Sequence, residues 1–136
     1  MTSQQAQLFR RLVVDILMDN TDDHEKNHVL LWQPGGRYRL SSAFDVVPSA
    51  HGLGYQAMLV GDQATQSTLV NALSQARQFG LKADAARALT SEVAAKVAGW
   101  KEAFSAQGLA ANDIDLLAQH IDGDRLRGQR EAFSAC

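Results

Sequence analysis

The sequence predicts a mainly α-helical protein with a small β-hairpin. Three observations support this fold class. Apolar residues recur at helical spacing near the N-terminus and throughout the second half, a Pro-Gly-Gly turn separates two short β-like runs, and no linker divides the chain. The length of 136 residues fits one hydrophobic core, so a single domain is expected over residues 1–136.

The first half is expected to contain one helix and the hairpin. Apolar positions every three or four residues predict a helix over residues 4–18, with Ser3 as its N-cap. Residues 29–32 and 38–40 are expected to form the two strands, because the turn between them reverses the chain. A further short strand is expected within residues 53–60.

The second half is expected to be helical. One helix is predicted over residues 68–79, where Gly80 follows as its C-cap. A long alanine-rich helix is predicted over residues 83–107, and a last helix over residues 113–121. Four aromatic residues on the apolar stripes and strands are assigned to the core: Trp32, Phe79, Trp100 and Phe104. Three arginines near the C-terminus are expected to form a basic cluster at a solvated end: Arg125, Arg127 and Arg130.

Composition and charge exclude several classes of function. Thirteen basic residues against 15 acidic ones give a net charge of -2, so direct nucleic-acid binding is not expected. No apolar run approaches the ~18 residues that span a bilayer, and the N-terminus lacks the pattern of a signal peptide. The only cysteine is Cys136, which permits no internal disulfide. A cytoplasmic protein without membrane contact is therefore expected.

A polar run follows the first helix, and its spacing is compatible with phosphoryl transfer. That reaction needs a carboxylate to orient the attacking hydroxyl, together with oxygen ligands for magnesium. Asp22 and Asn27 are five positions apart, the separation that protein kinases use between these two groups. Asp45 follows the predicted hairpin, as a second magnesium-binding carboxylate would.

Two other interpretations of the same run stay open. Residues 24–28 read His-Glu-Lys-Asn-His, which matches a zinc-hydrolase pattern if the segment is helical. A third zinc ligand is then required, with Asp45, His51 or Glu92 as candidates. The β-like run that follows directly, and the lack of a third-ligand signature, weigh against zinc. The remaining interpretation is a polar surface turn with capping aspartates.

Two motifs resemble the C-terminal region of the HipA family, bacterial serine/threonine kinases that act as toxins in toxin–antitoxin pairs. Residues 20–28 read Asn-Thr-Asp-Asp-His-Glu-Lys-Asn-His, close to the family's catalytic loop T-D-x-H-x-K-N. Residues 38–48 read Tyr-Arg-Leu-Ser-Ser-Ala-Phe-Asp-Val-Val-Pro, close to its metal-binding loop R-L-S-P-A-Y-D-x-x-P. Ser42 and Phe44 replace the proline and tyrosine usual there, and neither change removes a ligand. The resemblance implies the helical C-lobe of a protein-kinase-like, HipA-like fold.

The resemblance also implies roles for five side chains. Asp22 is expected to be the catalytic aspartate that orients the substrate hydroxyl, and Asn27 and Asp45 the ligands of the magnesium that accompanies ATP. His24 matches the family's loop histidine and is grouped with the catalytic residues, chiefly for shaping the loop. Lys26 also falls within the motif, where its charge would face a phosphate of ATP.

HipA-type kinases are much longer than this chain, because an N-terminal lobe supplies the phosphate-covering loop and the nucleotide-pairing lysine. We therefore expect the C-lobe alone here, with the ATP-covering lobe absent and little activity in isolation. An antitoxin, a complementary kinase lobe or a second copy of the chain is the expected partner. The alternative is a non-catalytic protein-binding module derived from a kinase lobe. The D-x-H-x-x-N order also occurs in phosphatidylinositol kinases, so it does not fix the substrate class.

Overall fold

The computed structural model describes residues 3–134, so Cys136 lies outside the described part. The fold is mainly helical with one antiparallel hairpin, which confirms the predicted fold class. Within residues 3–134, no helix has the length and apolar character needed to cross a membrane. The elements in chain order are α1 (Gln4–Leu17), β1 (Leu30–Gln33), β2 (Arg37–Leu40), α2 (Leu69–Ser74), α3 (Ala83–Val97), α4 (Trp100–Ala106), α5 (Ala111–Ile121) and α6 (Asp124–Ser134).

Helix α1 runs through the hydrophobic core, and the polar run follows its C-terminal end. The Ser3 side chain accepts a hydrogen bond from the Ala6 backbone N–H over 3.0 Å, which confirms the predicted N-cap. Phe9 and Ile16 are completely buried, and the ring of Phe9 meets Phe79 edge-on at 5.3 Å between centroids. The helix packs against α3 and α6, so both halves of the chain share one core.

The hairpin forms where the sequence predicts it, but its apolar side chains face outward. Leu30 pairs with Leu40 and Gln33 with Arg37 in the antiparallel register. Trp32 is 63% exposed and contacts only the ring of Tyr38 among the described aromatic residues, so its assignment to the core is wrong. A two-stranded hairpin has no second layer of its own, and a side chain on it is buried only where another element covers that face.

The short strand predicted within residues 53–60 is also wrong. That segment is a loop whose only pairings in the described chain are isolated bridges, such as the one between Tyr55 and Gln66. Side-chain hydrogen bonds, instead of pairing with a neighbouring strand, hold this loop in position. The buried Asn71 amide donates to the carbonyl oxygens of Ala64 and Gln66, at 3.1 and 2.9 Å.

The helices of the second half are more divided than predicted. The segment 68–79 is an α-helix only as far as Ser74 and continues as a 3-10 turn over Ala76–Phe79, which Gly80 ends in the left-handed conformation at φ 70°. The segment 83–107 is two helices, because Gly99 leaves helical geometry between α3 and α4. Trp100 is buried, whereas Phe79 and Phe104 are half-buried against the core.

Helix α6 was not predicted, and it changes the environment of the C-terminal arginines. Arg130 is buried, and it donates to the carbonyl oxygen of Ile121 at 3.3 Å and to the Asp122 carboxylate at 2.9 Å. Its assignment to a solvated cluster is therefore wrong. Arg127 is exposed, as expected, and it pairs with acids of its own helix.

Candidate functional site

An open cleft of about 520 Å³ lies between two loops of the chain. We call them the Asp22 loop (residues 18–29, between α1 and β1) and the Asp45 loop (residues 41–53, after β2). Asp22 and Asp45 both line the cleft, so the fold brings together two carboxylates that are 23 positions apart. The other lining residues are Asn20, Thr21, Val47, Pro48, Ser49, His51 and Leu53.

Hydrogen bonds fasten the two loops to each other. The Thr21 backbone N–H donates to the Ser49 hydroxyl over 3.0 Å, and the Ser49 N–H donates to the carbonyl oxygen of Asp19 over 2.8 Å. Arg11 of α1 donates to the carbonyl oxygen of Ser41, where the Asp45 loop begins. The relative position of the two carboxylates is thus set by the backbone of both loops.

Backbone strain is concentrated around the cleft. Asp19, Asp45 and Ala50 have φ values of 57°, 55° and 56°, in the left-handed region that non-glycine residues rarely adopt. The buried Asp19 carboxylate accepts a hydrogen bond from the Gly52 N–H at 3.3 Å and lies 3.6 Å from the Arg125 guanidinium of α6. Such strain persists where the surrounding contacts over-determine the conformation, as they do at many functional sites.

The other three predicted site residues lie in the Asp22 loop but outside the described lining of the cleft. Asn27 is buried in a 3-10 turn (Glu25–Asn27), and its amide nitrogen has no hydrogen-bond partner among the described residues. The Nδ1 atom of half-buried His24 is likewise without one. Lys26 is exposed to solvent. An unpaired buried N–H donor costs about 1–3 kcal/mol, a cost that an ordered water or another bound acceptor relieves.

A buried acidic network supports the Asp22 loop from beneath. The Asn20 side chain donates to Asp15 over 2.9 Å. Burial, and then the charge of neighbouring Asp23, raise the pKa of Asp15 to about 8. Asp23 also lies 2.8 and 2.9 Å, through its two oxygens, from Nε2 of His28.

The sequence motifs give no role to Asp15, Asp23 or Ser49. One signal for Asp15 was available, because it is an acid within the otherwise apolar face of α1. His51 is a zinc-ligand candidate, and its place just after the Asp45 motif would let it touch a ligand, although the sequence favours a surface-loop histidine. It lies on the wall of the cleft. No local pattern reports the contact of Ser49 with Thr21, because the two residues are 28 positions apart.

The geometry of residues 24–28 lacks the helix that the zinc-hydrolase pattern requires. Only Glu25–Asn27 form a 3-10 turn, and His28 is extended and directed at Asp23. Glu92 lies on α3, where Arg10 and Lys96 bond its carboxylate. Within residues 3–134 no cluster of three or more His, Cys, Asp or Glu side chains suited to a metal is found.

Magnesium fits the donor types of the two loops better than zinc does. Mg²⁺ prefers hard oxygen ligands, and it usually takes one or two carboxylates with waters and substrate phosphates. The Asp45 carboxylate borders the cleft, and Asn27 carries an amide oxygen in the neighbouring loop. Few protein ligands are needed, and both of these are of the required type.

The fold and the cleft together define a small helical domain in which a hairpin separates two acidic loops. Residues 1–100 match the family model described as the HipA-like C-terminal domain. Because the match covers well over half of the 136 residues, the chain belongs to the HipA-like family. The resemblance drawn from the two motifs is thereby confirmed. No curated protein and no solved structure matches the chain.

Proposed function

We propose that this chain carries the catalytic and magnesium-binding loops of a HipA-like serine/threonine kinase. The observation that carries the proposal is the shared cleft of Asp22 and Asp45, whose loops follow one another in the order a kinase lobe requires. Membership of the HipA-like family supports the same chemistry. In this proposal the reaction transfers the γ-phosphoryl group of ATP to a protein hydroxyl, in the cytoplasm and within a toxin–antitoxin system.

In the proposed reaction Asp22 acts on the substrate. Its exposed carboxylate accepts a hydrogen bond from the serine or threonine hydroxyl and takes up the proton as the new O–P bond forms. The bond between the γ-phosphorus and the bridging oxygen breaks, and ADP leaves with the bonding electrons. The ties from Ser49 to Thr21 and Asp19 hold Asp22 in a fixed position while the proton moves.

Asn27 and Asp45 are the proposed ligands of magnesium, through the amide oxygen and a carboxylate oxygen. A magnesium ion held by these two residues would neutralise the charge that develops on the phosphate oxygens. Lys26 faces phosphate from the solvent side of the loop, and His24 shapes the loop rather than moving a proton. In this proposal a complementary lobe supplies the nucleotide-covering surface.

A partner-binding role is the second proposal, and the exposed hairpin favours it. Leu30, Trp32 and Tyr38 are 60%, 63% and 58% exposed, and they lie on adjacent strands. Contiguous apolar surface of this kind is typical of protein interfaces. A complementary kinase lobe is the partner we favour, with an antitoxin or a second copy of the chain as the other candidates.

Thermal unfolding with and without magnesium-ATP tests nucleotide binding. At ~100 times the dissociation constant, binding adds about 2.7 kcal/mol, which raises Tm by on the order of 10 °C for a domain of this size. The rise is expected in the wild type and in Asp115→Asn, an exposed acid of α5 distant in sequence from both loops, and not in Asp45→Asn. If millimolar magnesium-ATP raises the Tm of none of the three proteins, the chain does not bind nucleotide.

Phosphotransfer is then assayed after adding a HipA-like N-terminal lobe in trans. Incorporation of labelled phosphate that disappears in Asp22→Asn supports the kinase proposal. Assembly with the added lobe that persists in Asp22→Ala, without any labelled product, favours the binding module instead.

A further inference from the structure

The Asp22 loop is crossed by a contact that neither family motif explains. Asp23 presents both carboxylate oxygens to Nε2 of His28, at 2.8 and 2.9 Å. The Asp23 and His28 side chains are only 9% and 16% exposed. A hydrogen bond between a carboxyl group and an imidazole that is shielded from water is stronger than the same bond exposed to it.

The two ends of this contact are the immediate neighbours of the two proposed functional residues. Asp22 precedes Asp23, and Asn27 precedes His28. The chain between them folds as one 3-10 turn, closed by the Asn27 N–H on the His24 carbonyl oxygen at 2.9 Å. Because a peptide unit is rigid, fixing the separation of Asp23 and His28 also limits the separation of the residues before them.

The contact is anchored to the body of the protein. Asp23 lies beside Asp15, which belongs to α1 and is buried. Asp15 in turn accepts from Asn20, the residue two positions before Asp22. The loop is therefore held to a core helix near its start, and the histidine contact holds its far end to the same point.

We propose that Asp23 and His28 are positioning residues that form a brace across the Asp22 loop. The brace keeps the Asp22 carboxylate and the Asn27 amide at the separation that the substrate hydroxyl and the magnesium ion require. The role that this inference gives to the brace rests on the proposed kinase function, whereas the contact between Asp23 and His28 does not. Groups that hold metal ligands from behind typically account for ~10–100-fold in metal affinity.

The test uses the full chain, with Mn²⁺ as an oxygen-seeking probe of the metal site. His28→Leu removes the donor at similar volume, and His28→Gln keeps a side-chain N–H. Glu25→Gln is the matched control, because Glu25 is exposed in the same loop. Two quantities are measured below the melting transition: the Mn²⁺ dissociation constant by electron paramagnetic resonance, and hydrogen exchange of the Asn27 and His28 amides.

We expect His28→Leu to weaken Mn²⁺ binding by ~10-fold or more and to speed exchange of both amides, in line with loss of a supporting contact. His28→Gln is expected to recover most of both properties, and Glu25→Gln to match the wild type. A His28 that serves only general stability lowers Tm in the Leu variant, without changing Mn²⁺ affinity and without rescue by glutamine. That pattern overturns the brace.

The two proposals fail in different ways. If the wild type binds no Mn²⁺, the proposed metal site is refuted and hydrogen exchange alone decides the brace: faster exchange in His28→Leu with rescue in His28→Gln supports it, and equal exchange in all variants overturns it. If His28→Leu does not fold, Asp23→Asn replaces it. A smaller loss of affinity and of amide protection is then expected, because an acceptor for Nε2 remains, and unchanged values overturn the brace.

Discussion

Asn20 is tied to Asp15 twice. Its side-chain amide donates to the Asp15 carboxyl group over 2.9 Å, and its backbone N–H donates to the Asp15 carbonyl oxygen over 2.8 Å. The two bonds turn the chain at the end of α1 and lead it directly into the Asp22 loop. Because burial raises the pKa of Asp15 to about 8, we expect its carboxyl group to hold a proton below that pH.

The free energy of unfolding is expected to fall as pH rises from about 4 to about 8. Burial, followed by the charge of Asp23, raises the pKa of Asp15 from 3.8 to about 8, so between these values the native state holds a proton that the unfolded chain releases. Below this window both states carry the proton, and above it neither does. The Asp15→Asn variant has no carboxyl group to titrate at this position, so its free energy of unfolding should lose this downward slope with pH.

Urea unfolding at about pH 5 and about pH 8 measures the effect of Asp15. Asp113→Asn is the control, because Asp113 is exposed at the start of α5 and should leave the slope as in the wild type. Equal slopes in Asp15→Asn and the wild type would show that Asp15 is ionised in the native state.

A second prediction concerns Asp122, where three donors meet. Trp100 Nε1 and Arg130 donate to the carboxylate at 3.0 and 2.9 Å, and Lys101 lies 3.0 Å from it. Burial pushes the pKa of Asp122 upward, but the hydrogen bonds from these donors outweigh it and lower the pKa. Asp122→Ala is expected to cost about 3 kcal/mol, because it leaves the buried charge of Arg130 without its partner.

Lys101→Ala provides the comparison within the same cluster. The Lys101 side chain is 48% exposed, so its ion pair with Asp122 is screened by water and worth at most about 1 kcal/mol. Chemical denaturation of both variants decides the matter. Similar losses in the free energy of unfolding of Asp122→Ala and Lys101→Ala would mean that the contact of Arg130 with Asp122 contributes no more stability than the exposed pair of Lys101 with Asp122.

A third prediction uses two glycines of opposite surroundings. A Cβ at Gly61 would overlap the backbone oxygen of Asn71 and lie 2.5 Å from the Ser74 hydroxyl, so Gly61→Ala is expected to cost about 1–3 kcal/mol. A Cβ at Gly128 meets nothing within 4 Å, and the residue lies inside α6. Gly128→Ala is therefore expected to add about 0.5–1 kcal/mol.

In thermal melts recorded under one buffer condition, the Tm of Gly61→Ala should lie below that of the wild type and the Tm of Gly128→Ala above it. A Gly128→Ala variant no more stable than the wild type would mean that α6 is not helical at that position. A Gly61→Ala variant of unchanged Tm would mean that the loop before α2 moves aside without cost.

Helices and turns with local signals were predictable from the sequence. Ser3 caps α1 through a bond to a residue three positions away, and Gly80 ends its helix by its own backbone conformation. The division at Gly99 was missed because strong helix formers surround it on both sides. Helix α6 was missed because its few apolar residues give little periodicity, and its buried side includes the ion pair of Arg130 with Asp122.

The candidate site was predictable as a set of residues but not as an arrangement. The spacing and order of the two motifs singled out Asp22 and Asp45, which line one cleft. The contacts that hold their loops, such as Thr21 with Ser49, join segments far apart in sequence, and no local pattern reports them. The exposure of Trp32 was unpredictable for the same reason, because burial of a strand residue depends on what lies across from it.

The last prediction separates chemistry from binding within the cleft. Asp22 is the proposed proton acceptor, whereas Asp45 is a proposed magnesium ligand, so the two variants should fail at different steps. With a complementary lobe present, Asp22→Asn is expected to keep the Tm rise given by magnesium-ATP and to lose ~10²–10⁴-fold in phosphotransfer rate. Asp45→Asn is expected to lose both, because the nucleotide no longer binds with its metal. Paired melts and single-turnover phosphorylation measure the two steps. Loss of the Tm rise in Asp22→Asn would assign Asp22 to the metal rather than to the hydroxyl.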